Sequence, residues 1–343
     1  MDKYLWDAAN LISKLRSEVF VCFSGGKDST ALLGLFLLAK QINPHLKFSV
    51  VHSNTLMEMP FLDDHVLRCK KQCDALDVSF NILVAPQKDR FHYNVLGRGL
   101  AIPNRNFRWC TDKLKIRPIT KFLPKDAVMV NGERLGESIQ RDKKLTNLGC
   151  ASGSNECGVD KHTEITDNII RPLLNWSVCQ VWDAIAYCDL NGILPDTYDE
   201  LSVIYSINKT ETGSMRTGCV GCPLVKKDNS LNVFAAANPK WQPLTEIKAI
   251  YTRLTLAENR IMRQDKKGNI APGCIKLSAR KQAFDDILEI ESRIPRYNLI
   301  TPQDKASITQ LLADHTYPRG YTTKDPQIIT DIQQFQSLII PYQ

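Results

Sequence analysis

The sequence predicts an α/β protein with a doubly wound, mostly parallel sheet and a C-terminal helical region. In the first half of the chain, short apolar runs alternate with helical patterns, the order that builds a parallel sheet. A glycine-rich turn also separates the first predicted strand from the helix after it. The 343 residues, 43% of them hydrophobic, are enough to bury a sizeable core.

The predicted sheet domain starts with an amphipathic helix over 4–17, followed by a short apolar strand at 19–23. A strongly apolar helix at 30–42 leads to a second strand at 48–52. The alternation continues with a helix at 60–75, a strand at 80–84, a helix at 116–122 and a strand at 127–130. These elements predict a core that covers about 18–185.

Two regions are predicted, an α/β domain at 1–195 and a C-terminal region at 196–343. Within the first, the polar, glycine- and cysteine-containing segment 147–167 is too irregular for a strand or helix, so we interpret it as an excursion from the core. In the second, the apolar pattern predicts helices at 241–259, 278–292 and 307–314.

Composition narrows the class of protein. No window approaches the roughly 18 apolar residues of a membrane span, and charged residues interrupt the first twenty positions, so we expect a cytoplasmic protein without a membrane partner. The net charge of +7 favours a polyanionic partner, with a solvated basic face as the alternative. Eleven cysteines in a reducing compartment indicate free thiols and metal ligands instead of disulfides.

A phosphate-binding loop is predicted where the first strand meets its helix. Two glycines allow an anion to approach the backbone, and the helix terminus, two hydroxyls and a lysine favour negative charge there. The loop consists of Ser24, Gly25, Gly26, Lys27, Asp28 and Ser29. Its spacing differs from the Walker motif. The alternative is an ordinary glycine-rich turn between a strand and a helix.

This SGGKDS stretch resembles the signature of the PP-loop ATP pyrophosphatases, an adenine nucleotide alpha hydrolase-like fold. The resemblance implies that the loop holds the pyrophosphate of ATP, with Mg²⁺ bridging the phosphates. Lys27 and Asp28 are the implied catalytic residues within it. The end of the second strand would contact the nucleoside through Ser53 and Asn54, although relatives often place an aspartate where Asn54 stands.

A second polar stretch, 131–138, follows the last predicted strand, at the sheet edge where open parallel sheets bind ligands. It resembles the GxRxxES stretch of the same family, which implies that Gly132 and Arg134 contact the nucleotide. Arg134 and Arg141 are implied as catalytic cations that stabilise developing negative charge. The alternative is a helix face on which arginines pair with glutamates.

The stretch FRWCTDKLKIRP resembles the adenylyl-sulfate reductase branch, and most closely the sulfurtransferases of bacterial DNA phosphorothioation (the DndC and SspD group). The resemblance implies substrate contacts from Arg108, Lys113, Lys115 and Arg117. A surface helix with alternating cations is the alternative. Cys110, in the same stretch, is a candidate catalytic thiol, with a cluster-adjacent or merely packed cysteine as alternatives.

Four cysteines in two glycine-rich loops suit an iron–sulfur cluster or a structural zinc ion. The candidate ligands are Cys150, Cys157, Cys219 and Cys222, with Cys110 and Cys274 as substitutes. The family resemblance implies a [4Fe–4S] cluster, and zinc remains the alternative. The other five follow strand or helix patterns and are predicted to lie in the core: Cys22, Cys69, Cys73, Cys179 and Cys188.

Together the resemblances imply an ATP pyrophosphatase and sulfurtransferase that adenylates a DNA backbone phosphate, so that sulfur replaces a non-bridging oxygen. The implied partners are a cysteine desulfurase, DNA and other DNA-modification proteins. Alternatives are a sulfonucleotide reductase, a tRNA thiolation enzyme and a non-catalytic ATP-binding adaptor. A reductase needs a reducing thiol near its C-terminus, and no cysteine follows Cys274. The sequence does not predict the oligomeric state.

Overall fold

The computed structural model describes residues 3–136, 168–205, 217–264, 270–318 and 328–329. The chain forms two compact units that are interleaved along the sequence. The first comprises Met1–Asn54, Glu58–Leu83 and Pro118–Thr217, and the second comprises Thr55–Met57, Val84–Arg117 and Gly218–Gln343. The boundary expected near residue 195 therefore falls inside a segment of the first unit.

The first unit contains a five-stranded sheet with the strand order β3-β2-β1-β4-β5. β1 pairs in parallel with β2 on one side and with β4 on the other, and β4 pairs in parallel with β5. The predicted doubly wound, mostly parallel sheet is confirmed. Its strands are β1 Val19–Cys22, β2 Phe48–Asn54, β3 Phe80–Val84, β4 Val128–Val130 and β5 Ile169–Ile170.

Six of the seven predicted helices are present, most of them with ends that differ by a few residues. In chain order they are α1 Lys3–Ser13, α2 Lys27–Ile42, α3 Pro60–Ala75, α4 Trp109–Thr111, α5 Arg117–Phe122, α6 Val178–Leu190, α7 Tyr198–Ile204, α8 Asn229–Ala237, α9 Ile247–Arg253, α10 Leu277–Ser292 and α11 Pro302–Ala313. α2 is apolar on nearly every face and is almost entirely buried, as expected for a central helix. It begins three residues before the predicted Thr30, so Lys27 lies in its first turn.

The second unit contains a feature that the sequence analysis did not predict, a three-stranded antiparallel sheet in the order β7-β6-β8. Its strands are β6 Arg260–Gln264, β7 Ile270–Ile275 and β8 Ile328–Ile329. These strands are short and include arginines, a proline and a glycine, so they carry no clear alternation of apolar and polar residues. The C-terminal region is therefore not purely helical.

The single helix predicted at 241–259 is wrong. The segment contains a 3₁₀-helix Pro239–Glu246, then α9, then a 3₁₀ turn Ala257–Asn259. Pro243 lies inside the first of these and lacks the N–H that an α-helix would need there. Among the described residues, no helix combines the length and hydropathy required to cross a bilayer.

Candidate active site

The carboxyl ends of β1 and β4 form the edge at which the predicted nucleotide loop lies. The chain winds outward from β1 through β2 to β3 on one side, then returns to place β4 on the other side. Open parallel sheets bind ligands at such a switch point, where loops diverge from adjacent strands. The loop at 24–29 follows β1 and the segment 131–136 follows β4.

The loop after β1 is shaped by glycine and closed by serine hydroxyls. Gly25 has φ +75°, and a Cβ atom there would lie 3.1 Å from Leu62 Cδ2. The hydroxyls of Ser24 and Ser29 lie 3.0 Å apart, and Ser29 Oγ donates to the carbonyl of Gly26 at 2.9 Å. The N-cap of α2 is Gly26, which has no side chain to cap the first turn. The loop is therefore preformed, and its backbone N–H groups lie at the positive end of the helix.

Three charged side chains meet beside this loop. Asp28 Oδ2 lies 2.5 Å from Lys27 Nζ, and Asp28 Oδ1 lies 2.5 Å from Arg134 Nε. The side chains of Asp28, Lys27 and Arg134 are only 18%, 7% and 5% exposed, respectively. Two cations share one carboxylate, so the cluster keeps an excess of positive charge in a largely dry environment, which suits a phosphate group.

Arg134 is positioned by the backbone around it. Its Nη1 donates to the carbonyl of Trp176 at 3.0 Å. A Cβ atom on Gly132 would lie 3.0 Å from the carbonyl oxygen of Asp28, so glycine permits the close approach of the two loops. Residues 131–136 are not helical and Glu133 pairs with Arg171 at 2.8 Å, so Arg134 and Glu133 do not form the alternative helix face. Arg141 lies outside the described residues.

Tyr205 contacts the phosphate loop, and sequence reasoning missed it. The backbone N–H of Lys27 donates to Tyr205 Oη at 3.2 Å, and Lys27 Nζ lies 5.4 Å from the ring centroid. Tyr205 Oη also lies 3.2 Å from Thr217 Oγ1. Burial raises the pKa of Tyr205, so its hydroxyl stays protonated at neutral pH. No sequence motif marks a tyrosine so distant in the chain from the loop.

The end of β2 carries Ser53 and Asn54, the residues predicted to meet the nucleoside. Asn54 Nδ2 donates to Asp63 Oδ1 at 3.0 Å, so α3 supplies a carboxyl group beside the amide. Burial raises the pKa of Asp63 to about 6, with a further contribution from Glu58, while the bond from Asn54 lowers it. A carboxyl group is therefore present near this strand end although position 54 is an asparagine.

The four predicted substrate cations belong to the second unit and differ in their pairing. Lys113 forms an ion pair with Asp89, and Arg117 Nη2 lies 2.5 Å from Asp112 Oδ2. Arg108 and Lys115 are exposed. Lys113 and Arg117 are thus paired with acidic neighbours.

The CxxC segment forms a tight turn. Cys222 N–H donates to the carbonyl of Cys219 at 3.1 Å. Gly221 has φ +65°, and a Cβ there would lie 2.8 Å from Ile247 Cγ2, so only glycine fits. Both thiols are half-buried. Burial raises the pKa of Cys110, and so does the negative charge of Cys222, which places these two thiols within electrostatic reach of each other.

The predicted metal ligands Cys150 and Cys157 lie outside the described residues. Within the ranges that the structure describes, no three histidine, cysteine or carboxylate side chains are grouped closely enough to hold a metal ion. Cys274 is buried, and burial raises its pKa to about 11. The prediction that Cys179 lies in the core is wrong, because it is exposed at the start of α6. The buried cysteines of the predicted core set are Cys69, Cys73 and Cys188, whereas Cys22 is half-buried.

The model of the phosphoadenosine phosphosulfate reductase domain matches residues 18–194, more than half of the chain. The chain belongs to this family. The match covers the five-stranded sheet, the loop at 24–29 and the segment 131–136, so the predicted family resemblance is confirmed. The closer resemblance to the DNA phosphorothioation group stays a prediction.

Relatives found by sequence are distant. Two uncharacterised proteins of Methanocaldococcus jannaschii are 28% and 26% identical, over 62% and 78% of this chain and 43% and 46% of their own lengths. A tRNA(Ile)-lysidine synthase of Actinobacillus succinogenes is 37% identical over 62 residues, 18% of this chain and 14% of that protein. The chain spans less than half the length of these relatives.

Two solved structures are similar to the chain, each with 14% sequence identity. Phosphoadenylyl-sulfate reductase from Candida auris gives a TM-score of 0.40 and covers 63% of this chain and 87% of that one. The U34-tRNA thiolase NcsA from Methanococcus maripaludis, with its [4Fe–4S] cluster, gives a TM-score of 0.37 and covers 74% of this chain and 79% of that one.

Proposed function

We propose that this protein is an ATP pyrophosphatase and sulfurtransferase that adenylates a DNA backbone phosphate, so that sulfur replaces a non-bridging oxygen. The carrying observation is the cluster of Lys27, Asp28 and Arg134, which leaves excess positive charge next to a preformed glycine loop. A site of this kind favours the polyphosphate of ATP over a neutral ligand. Family membership supports the same chemistry.

The proposed reaction has two steps. A non-bridging oxygen of the substrate phosphate attacks the α-phosphorus of ATP, the bond between the α-phosphorus and the bridging oxygen breaks, and pyrophosphate leaves. A thiol reductant releases hydrosulfide from the persulfide of a cysteine desulfurase and is itself oxidised to a disulfide. The hydrosulfide then attacks the activated substrate phosphorus and gives up its proton to solvent, and AMP departs with the original oxygen as the bond between that oxygen and the substrate phosphorus breaks. Adenylation is needed because an unactivated phosphate oxygen is a poor leaving group.

The chain's own residues supply binding and charge in this scheme. Lys27 and Arg134 neutralise charge that moves onto the leaving pyrophosphate, and Asp28 fixes the orientation of both cations. Arg141 is proposed as a further cation. Magnesium bound with ATP would supply additional positive charge, and the Asp63 carboxyl beside Asn54 is the oxygen ligand proposed for it.

The CxxC turn fits two ligands of a metal centre, because its glycine allows Cys219 and Cys222 to lie in one tight turn. Thiolate ligands without histidine suit a [4Fe–4S] cluster or zinc. We propose Cys150 and Cys157 as the remaining ligands, with Cys110 as the substitute. If Cys110 is not a ligand, its thiol is the proposed carrier of the transferred sulfur.

Metal analysis of purified protein tests this assignment without relying on activity. We expect Cys219→Ser and Cys222→Ser to lose iron, acid-labile sulfide and the broad cluster absorbance after anaerobic reconstitution. Cys179→Ser is the matched control because Cys179 is an exposed thiol on a helix. If the protein contained stoichiometric zinc and no sulfide, the site would be assigned to zinc and not to a cluster. Equal metal content in all variants would refute the ligand assignment.

Mass spectrometry of nuclease-digested host DNA tests the proposed function. Phosphorothioate dinucleotides should appear only when the gene and its desulfurase partner are both present, and Lys27→Ala should abolish them. Purified protein should also release pyrophosphate from ATP, whereas a sulfonucleotide reductase would release none. Phosphorothioates that persist without the gene would contradict the proposal, and their persistence with Lys27→Ala would favour the adaptor.

tRNA thiolation is the second candidate. The observation that favours it is the 37% identity to a tRNA(Ile)-lysidine synthase over 62 residues. Activation of a base carbonyl by adenylation would use the same Lys27 and Arg134 cluster. Thiolated nucleosides in digested tRNA that depend on this gene, with no phosphorothioate in DNA, would replace the first candidate by the second.

A further inference from the structure

An exposed aromatic side chain lies between two exposed arginines in the turn at 104–108. Phe107 is 45% exposed, and Arg105 and Arg108 on either side of it are also exposed. The next residue, Trp109, is buried, stacks on Phe91 at 5.8 Å and donates from Nε1 to the carbonyl of Ala101 at 2.9 Å. The turn thus has an exposed tip, formed by Arg105, Phe107 and Arg108, which is anchored by the buried side chain of Trp109.

The backbone of this turn is held in one conformation. Asn104 Oδ1 accepts hydrogen bonds from the N–H groups of Asn106 and Phe107, each at 2.9 Å. The backbone N–H of Asn104 also donates to the carbonyl of Phe107 at 3.3 Å. A ligand that contacts the Phe107 ring therefore meets an ordered surface, and little conformational entropy is lost on binding.

The two arginines differ from the neighbouring cations. Lys113 pairs with Asp89 and Arg117 pairs with Asp112. By contrast, no described carboxylate forms an ion pair with Arg105 or Arg108, and Arg108 Nε donates to the carbonyl of Arg105 at 3.2 Å. The tip therefore combines uncompensated positive charge with an accessible aromatic face.

We propose that Arg105, Phe107 and Arg108 form a stacking platform for one unpaired nucleotide, with the base on the Phe107 ring and the flanking phosphates on the two arginines. Aromatic faces with adjacent cations bind single strands in this way. A base inside a duplex is covered by its neighbours, so the platform requires an unpaired or extruded base. The inference rests on the nucleic-acid substrate of the proposed function.

The position of the platform links it to that chemistry. Cys110 lies two residues after Arg108. A nucleotide held on Phe107 is thereby bound in the same segment as a thiol proposed to carry sulfur or to serve as a substitute ligand. The platform accordingly selects which nucleotide of the strand is presented.

Fluorescence anisotropy with labelled 12-nucleotide single strands of DNA and RNA, and with a DNA duplex, tests this inference on the full chain. Phe107→Ala should weaken binding of the preferred single strand by about tenfold or more and leave duplex binding unchanged. Phe107→Trp should restore single-strand affinity, and Phe107→Leu should not, because leucine is apolar but has no π face. Phe122→Ala is the matched control, since Phe122 is 43% exposed.

Salt dependence tests the arginines. Arg105→Ala and Arg108→Ala should each reduce the slope of log affinity against log salt concentration by about 0.7, the value for one phosphate contact on a single strand. The DNA and RNA arms identify which strand the platform prefers.

Four outcomes would be decisive against the inference. Equal single-strand affinities for Phe107→Ala and Phe122→Ala, or rescue by leucine as complete as by tryptophan, would overturn the platform and leave the proposed function intact. Wild-type protein that binds duplex but no single strand would do the same. Wild-type protein that binds no nucleic acid would overturn both, whereas loss of pyrophosphate release alone counts only against the proposed function.

Discussion

The two basic sites of this protein hold their charges in opposite ways. Lys27 and Arg134 are nearly buried and share the carboxylate of Asp28, whereas Arg105 and Arg108 are exposed and pair with no described carboxylate. Buried charges are costly to desolvate and are kept in fixed geometry, which suits the stabilisation of a transition state. Exposed cations act through screened, long-range attraction, which suits reversible binding. The first site should therefore control turnover, and the second should control affinity.

The largest expected effect tests the first half of this comparison. Lys27→Ala removes one of the two cations next to the loop, and we expect pyrophosphate release to fall at least about 100-fold. Lys40→Ala is the control, because Lys40 lies in the last turn of the same helix and donates to the carbonyl of Leu46, away from the loop. Equal losses in both variants, or unchanged turnover in Lys27→Ala, would contradict the comparison.

Arg134→Lys sharpens the comparison of the two basic sites, since this variant keeps the positive charge but loses the guanidinium geometry. Arg134 bonds the Asp28 carboxylate and the Trp176 carbonyl simultaneously, and a lysine cannot make both bonds. We expect kcat to fall about 10- to 100-fold with a smaller change in ATP affinity. Arg171→Lys is the control, because Arg171 is a half-buried arginine that pairs with Glu133. A change confined to ATP affinity would show that Arg134 contributes to ATP binding and not to the stabilisation of the transition state.

Tyr205→Phe tests whether a side chain distant in sequence supports the loop. The variant removes the oxygen that accepts from the Lys27 N–H, a bond worth about 1 kcal/mol. We expect ATP affinity to fall about fivefold, with the fold retained. Tyr198→Phe serves as the control, because Tyr198 begins the helix that ends just before Tyr205 and its ring packs against Trp182. If the two variants had equal ATP affinities, Tyr205 would have no role in ATP binding.

The smallest expected effect is a change in stability with pH. Asp63 has a folded pKa of about 6, above its unfolded value near 4, so the folded state binds the extra proton between these pH values. Its contribution is most favourable below about pH 4 and declines as pH rises through about 6. Asp63→Asn should therefore stabilise the protein by about 1 kcal/mol at pH 7.5 and by little at pH 4, measured by urea unfolding. The exposed Asp64→Asn is the control, and destabilisation of Asp63→Asn at pH 7.5 would reverse the assigned sign.

The sequence predicted those parts of the fold and site that depend on local signals. The apolar run of β1, the glycines at 25 and 26 and the apolar helix after them are adjacent in the chain, so their arrangement follows from periodicity and turn chemistry. The pairing of Asp28 with Arg134 and the contact of Tyr205 with Lys27 join residues far apart in sequence. Such contacts depend on how β4 and α7 pack, which no local pattern encodes.

In the C-terminal region, local sequence patterns also failed to predict secondary structure that depends on distant contacts. Strands β6 and β7 are short and include Arg263, Pro272 and Gly273, so pairing with each other stabilises them more than intrinsic preference does. Phe107 was not singled out from the sequence, because its proposed role depends on the exposure of its ring, which the sequence does not show. Aromatic residues in similar local sequences are more often buried, as Trp109 is.

A crystal structure with a non-hydrolysable ATP analogue and magnesium tests the central claim most directly. The β- and γ-phosphates should lie within hydrogen-bonding distance of the backbone N–H groups of the loop at 24–29, with Lys27 and Arg134 on the phosphate oxygens. A triphosphate bound away from the carboxyl ends of β1 and β4, with this loop empty, would contradict the proposed nucleotide site and the chemistry built on it.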